Sequence, residues 1–174
     1  MPLSIRQVGP CFAGEVTNID LTKPLAAGVA QEIHDAMDEY AVLVFPNQDF
    51  TDETQISFTE QLGPIEHSIG AGLRKPDEYR LSTHFADVSN LDKENNVYGR
   101  EDRRRLFAIG NRLWHSDSSF KVVPAKYSLL HARAIPSKGG NTEFADMRTA
   151  YDELEQEMKD HIDGMIAEHT QIHS

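Results

Sequence analysis

The sequence holds a single cysteine, Cys11, so no disulfide can form within the chain, and nothing in it points to an oxidising compartment. Long apolar runs are missing as well. No stretch approaches the roughly 18 residues that a membrane helix needs, and the opening MPLSIRQVGP lacks the apolar segment of a secretory signal. These absences set the expectation of a cytoplasmic chain with no membrane contact. Basic residues are in the minority: 17 Lys and Arg stand against 28 Asp and Glu, a net charge of -11, which argues against the concentrated basic face of a nucleic-acid binder. The excess acidity reads as a solubility feature. Internal repeats and low-complexity segments are lacking too.

The 174 residues fit one domain, and 39% hydrophobic content suffices for a core. Short strands are expected at residues 4–8 and 14–19. Val29, Ile33, Met37 and Tyr40 recur at helical spacing, so a helix over residues 26–40 turns one stripe inward, and AVLVF after it reads as a buried strand. Thr51 is placed to cap a second helix that begins at Asp52 and stops at Gly63 and Pro64. Residues 66–110 are polar, carry the cluster GREDRRR and show no sustained period; so long a loop suggests an active-site lid or substrate loop. Its Arg74, Lys75, Arg80, Arg103, Arg104 and Arg105 would suit an anion, although the mixed signs suggest local ion pairs.

Beyond Phe107 the pattern tightens. In NRLWHSD, an extended strand would put Asn111, Leu113, His115 and Asp117 on one face and Arg112, Trp114 and Ser116 on the other. Residues 126–135 form a second candidate strand and residues 136–140 a turn. Asp146 is placed to cap a helix with Met147, Ala150, Tyr151, Leu154, Met158 and Ile162 as its buried stripe and Gly164 at its end, and a further strand-like run follows. Trp114 and Phe120 are expected in the core. The mixture predicts a mainly β chain with flanking helices rather than alternating βαβ units.

His115 and Asp117 carry the sharpest chemical signal, because i, i+2 spacing on a strand points an imidazole and a carboxylate at one place. Two histidines and one carboxylate on one face of an ion, with open positions opposite, is the ligand set of non-haem Fe(II) oxygenases. A strand-end histidine simply hydrogen-bonded to an aspartate is the plainer alternative. A zinc hydrolase is disfavoured, since no HExxH or cysteine pair supplies further ligands. His34, His67, His84, His131 and His161 have no partner at ligand spacing.

Over nearly its whole length the sequence resembles the 2-oxoglutarate-dependent taurine and 2,4-dichlorophenoxyacetate dioxygenases. The likeness is carried by NRLWHSDSSF, PAKYSLLHARAIPSKGGNTEFADMRTAYDEL, YAVLVFPNQ and the LGP after the second helix, and is nearest to the aryloxyalkanoate-cleaving branch. It implies the first part of a double-stranded β-helix, or jelly roll. His115 and Asp117 match two iron ligands, Thr142 in GGNTEF matches the threonine that helps hold 2-oxoglutarate, and Asn111 matches a residue near substrate. Implied partners are Fe(II), 2-oxoglutarate, dioxygen and a small organic acid, and oxidation beside an ether oxygen would release a phenol and an oxo acid. The family's third ligand, a distal histidine, and its 2-oxoglutarate arginine have no counterpart here, because the sequence ends 57 residues after Asp117. His169 and His173 share one side of an extended run, but the resemblance gives them no metal role. The alternative is a non-catalytic fragment that binds neither iron nor 2-oxoglutarate productively. Unpaired strand edges would favour association between copies.

Overall fold

The computed structural model describes residues 2–66 and 80–168. They fall into two compact units, one formed by Met1–Pro64 with Leu129–Ala167 and the other built on Ile65–Ser128.

The first unit is organised around a small sheet. β1 (Ile5–Gln7) runs antiparallel to β2 (Gly14–Val16), and β2 pairs in parallel with β3 (Leu43–Val44). Parallel neighbours need a crossover, and α1 (Val29–Tyr40) provides it, so a single β-α-β unit is present although such units do not alternate along the described residues. The expected stripe on α1 is real. Ile33 and Ala36 are buried and Val29 and Met37 partly so, packed with Leu21 and Phe58 into the core. The helix stops where Ala41 turns into a positive-φ conformation (φ 59).

α2 (Asp52–Leu62) starts as its sequence predicts. Thr54 N donates to the Thr51 hydroxyl at 3.2 Å while Thr51 N donates to the Thr54 hydroxyl at 2.9 Å, a reciprocal capping box with threonine in the place usually held by Glu or Gln. Its Phe58 ring stacks on Phe50 at 5.8 Å, and His131 meets Phe50 edge-on at 5.5 Å. Gln48 and Gln61 accept from the backbone amides of Leu21 and Leu25, at 2.7 Å each, and so fix the irregular path before α1.

The C-terminal helix departs from expectation. It is broken into α4 (Met147–Asp152) and α5 (Gln156–Ile162), because Glu155 is extended (ψ 147). Asp146 does cap α4, accepting from Arg148 N at 3.0 Å. The stripe, however, is largely uncovered, with Met147 72% exposed, and no side chain on either helix is buried. Helices this short gain little by themselves, so without a facing apolar surface the pattern does not sustain one long helix. Arg148 bonds the carbonyls of Asp38 and Glu39, supplying positive charge to the end of α1, which has no basic residue in its last turn.

In the second unit the last three residues of the run REDRRR open a helix, α3 (Arg103–Ala108), followed by a 3-10 turn (Ile109–Arg112). The expected strand over residues 111–117 does not form, nor does that over 126–135; among the described residues, ladders are confined to the three-stranded sheet. Two local features explain the first case. Asn111 is inside the 3-10 turn, and Ser118 is held at φ 59, so extended backbone can begin only at Leu113 (φ -87, ψ 145) and cannot pass Ser118. Among the described residues neither segment pairs with a neighbouring strand, which is what would satisfy the amides and carbonyls of an extended run.

Candidate metal centre

The 3-10 turn hands over to the extended Leu113, which leads through His115 to Asp117 at the start of the following turn. Their nearest polar atoms, His115 Nε2 and Asp117 Oδ1, lie 3.5 Å apart, both on side chains half or more exposed. The other polar atom of each side chain is occupied. His115 Nδ1 sits 2.7 Å from the Leu113 carbonyl oxygen, which can only accept, so Nδ1 carries a hydrogen and Nε2 of the neutral ring keeps its lone pair. The Ser128 hydroxyl donates to Asp117 Oδ2 at 2.6 Å. What remains is one imidazole lone pair and one carboxylate oxygen converging on the same region.

The turn beyond Asp117 is strapped down separately. Ser118 donates to Glu66 Oε1 at 2.7 Å, and Lys121 Nζ lies 2.9 Å from the same oxygen. The Lys121 ammonium, helped by the Ser118 hydroxyl, holds the Glu66 carboxyl below its ordinary value. These contacts keep Ser118 in its positive-φ conformation, which is uncommon for a residue with a side chain.

The donor set fits a divalent ion. Cis ligands with bonds of about 2.1 Å place their donor atoms roughly 3 Å apart, close to the separation seen here. Among the described residues no group of three or more His, Cys, Asp or Glu side chains is placed to hold a metal, so the pair stands without a third protein ligand there.

The remaining sequence candidates are spread out. Asn111 is exposed on the 3-10 turn and does not share a strand face with the pair, which corrects that part of the sequence reading. Thr142 belongs to the first unit, exposed on irregular backbone after Gly139 and Gly140, both in left-handed conformation (φ 71 and 74); its hydroxyl has no partner among the described residues. Trp114, expected in the core, is 69% exposed. Three of the arginines are engaged locally: Arg80 forks Asp87 with two 2.6 Å bonds, Arg104 pairs with Asp102 at 2.8 Å and stacks over Tyr98, and Arg105 bonds the Arg100 carbonyl. The Arg104 guanidinium holds the Asp102 carboxyl down at about 2. His67, Arg74, Lys75, His169 and His173 lie outside the described residues. Sequence reasoning missed Ser128. Folding residues 111–117 back against 126–135 about the Val122–Val123 bond would have set it opposite Asp117.

Comparison with known proteins places these residues in context. The family model described as "Taurine catabolism dioxygenase TauD, TfdA family" matches residues 4–174. The alpha-ketoglutarate-dependent 2,4-dichlorophenoxyacetate dioxygenase of Cupriavidus pinatubonensis is 39% identical over 165 residues, covering 95% of this chain and 57% of the relative. Its namesake from a Burkholderia strain is 36% identical across the full chain and 58% of its own length. A crystal structure of AAD-2 in complex with Mn(II) and N-oxalylglycine, 51% identical, matches 93% of this chain and 56% of its own with a TM-score of 0.87. The chain therefore spans somewhat over half the length of these relatives. With a family model matched from residue 4 to residue 174, the chain belongs to the TauD/TfdA dioxygenase family.

Proposed function

We propose that the chain carries the metal-binding part of an Fe(II)- and 2-oxoglutarate-dependent dioxygenase acting on a small organic acid. The carrying observation is the convergence of His115 Nε2 and Asp117 Oδ1, 3.5 Å apart, with the other polar atom of each side chain committed elsewhere. In this reading His115 and Asp117 are two of the metal's ligands. When bound, the iron supplies the oxidising chemistry, with 2-oxoglutarate as cosubstrate and dioxygen as oxidant. The chain's own part is to present a lone pair and a carboxylate without rearrangement and to leave the rest of the coordination sphere open. Support comes from the names of the 2,4-dichlorophenoxyacetate relatives and from Mn(II) and N-oxalylglycine in a solved relative, where they stand in place of iron and 2-oxoglutarate.

Thr142 is assigned to the cosubstrate, because its hydroxyl, without a partner among the described residues, is suited to donate to a carboxylate. Asn111 is assigned to the substrate side. The fold proposed for the whole domain is a jelly roll of which this chain forms the first part. An aryloxyalkanoate is the substrate class favoured by the relatives that act on 2,4-dichlorophenoxyacetate and (S)-phenoxypropionate. Oxidation beside its ether oxygen gives an unstable hemiacetal that separates into a phenol and an oxo acid.

A second reading, a chain that binds neither iron nor 2-oxoglutarate productively, draws on the missing third ligand among the described residues. One experiment separates the two. The chain is joined to the remaining part of the Cupriavidus relative, and succinate is measured with Fe(II), 2-oxoglutarate and a phenoxy acid. Turnover that disappears in both His115→Ala and Asp117→Ala supports the proposal; near-normal succinate formation in either variant refutes the ligand assignment.

A further inference from the structure

Resting on the metal-site reading above, we infer that Ser128 is a positioning residue for the Asp117 ligand. The two oxygens of a free carboxylate are equivalent and exchange by rotation about the bond that carries them. A hydroxyl donor on one oxygen removes that equivalence. Here the Ser128 hydroxyl donates to Oδ2 at 2.6 Å, a short bond of the charge-assisted kind, and Oδ1 is the oxygen that faces His115. The carboxylate is thereby aimed as a one-oxygen ligand before any ion arrives.

Asp117 and Ser128 are eleven positions apart, and the chain between them is itself restrained. Glu66 takes both Ser118 and Lys121, so the stretch leading away from Asp117 is pinned near its start. Ser128 thus closes back onto the carboxylate a stretch whose first residues are already held. The arrangement is lopsided in a useful way: the backbone of Leu113 orients the histidine, and a side chain orients the aspartate. Only the second of these is open to substitution.

A hydroxyl that merely ties two loop segments would affect stability and leave metal affinity alone. A positioning hydroxyl does the reverse, since loss of such an outer partner commonly lowers metal affinity by about 10 to 100-fold. The test uses the 174-residue chain with isotopically labelled histidine. Mn(II) is titrated in, and the broadening of the His115 ring resonances is followed by NMR for the native chain, Ser128→Ala, Ser128→Thr and Asp117→Ala, with thermal unfolding of each measured in parallel. This readout detects weak binding and needs no turnover. The expected result is a Mn(II) midpoint raised roughly ten-fold or more by Ser128→Ala, restored by Ser128→Thr, at an unchanged unfolding temperature. A native midpoint in Ser128→Ala, with broadening lost in Asp117→Ala, overturns the role of Ser128 and leaves the metal site standing. A Ser128→Ala defect that Ser128→Thr does not repair, accompanied by a lowered unfolding temperature, reassigns Ser128 to loop structure. Absence of selective broadening in the native chain, or its persistence in Asp117→Ala, overturns both this inference and the metal-site reading.

Discussion

Replacing Gly14 by alanine sets two effects of opposite sign against each other. Gly14 sits on β2 in ordinary strand backbone, so alanine is conformationally acceptable, and the more restricted unfolded chain would by itself stabilise the protein by about 0.4–1 kcal/mol. Space decides otherwise. An added Cβ would lie 2.7 Å from Ile5 Cγ2, 3.1 Å from Tyr40 Cγ and 3.2 Å from Leu43 Cδ2, three contacts from β1, α1 and β3 at once. Overpacking of this kind costs about 1–3 kcal/mol, and relief by one neighbour pushes into another. The net expectation is a loss of about 1–2 kcal/mol, which at a typical slope of about 2 kcal/mol per molar lowers the urea midpoint by roughly 0.5–1 M. Circular dichroism during urea unfolding reads this directly. Ile5→Leu removes the branch that makes the shortest contact, so the double variant should recover part of the loss through a favourable coupling. A midpoint for Gly14→Ala equal to or above the native one would refute the reasoning, since β1 and α1 would then be free to move apart at no cost.

Thr142→Val keeps the shape and removes the hydroxyl, and should weaken 2-oxoglutarate roughly ten-fold to a hundred-fold, read as the apparent Michaelis constant of the restored enzyme; an unchanged constant returns Thr142 to plain turn structure. Thr51→Ala takes away the acceptor for Thr54 N and should cost α2 about 1 kcal/mol in urea unfolding, with Thr51→Ser nearly neutral. Glu66 titrates lower when folded than unfolded, so its contribution is present above the ordinary glutamate range and fades as pH falls through the folded value. Accordingly, the stability gap between the native chain and Glu66→Gln should be present at neutral pH and close in strong acid; a gap that persists in acid would show that the carboxylate charge is not what holds Lys121 and Ser118.

The elements that could be read from the sequence are those whose stability is local. Thr51 and Asp146 cap the helices their positions announced, because a cap needs only the next two or three amides. The stripe Val29, Ile33 and Met37 was legible because α1 finds Leu21 and Phe58 to pack on. Strands fared worse. Alternation in NRLWHSD says which side chains would share a face if the backbone were extended, but a ladder also needs a neighbouring strand, and alternation does not supply one. The 3-10 turn at Asn111 and the positive φ at Ser118 then limit extension to the stretch between them. His115 and Asp117 still converge, since two residues separated by one neighbour need only that short span. Ser128 was missed for the opposite reason: its bond to Asp117 depends on where the chain turns back, and only once that point is assumed does spacing set the two opposite each other.

The bond from His115 to the Leu113 carbonyl has a consequence for how the site tolerates mutation. Every amino acid offers the same carbonyl, so the imidazole's tautomer is specified by main chain and is indifferent to what position 113 carries. The 72% exposure of the Leu113 side chain leaves room for that freedom. Orientation of the histidine is in this sense written where substitution cannot reach it, whereas orientation of the aspartate hangs on a single replaceable hydroxyl. Random mutagenesis should therefore find one half of the pair's alignment robust and the other brittle.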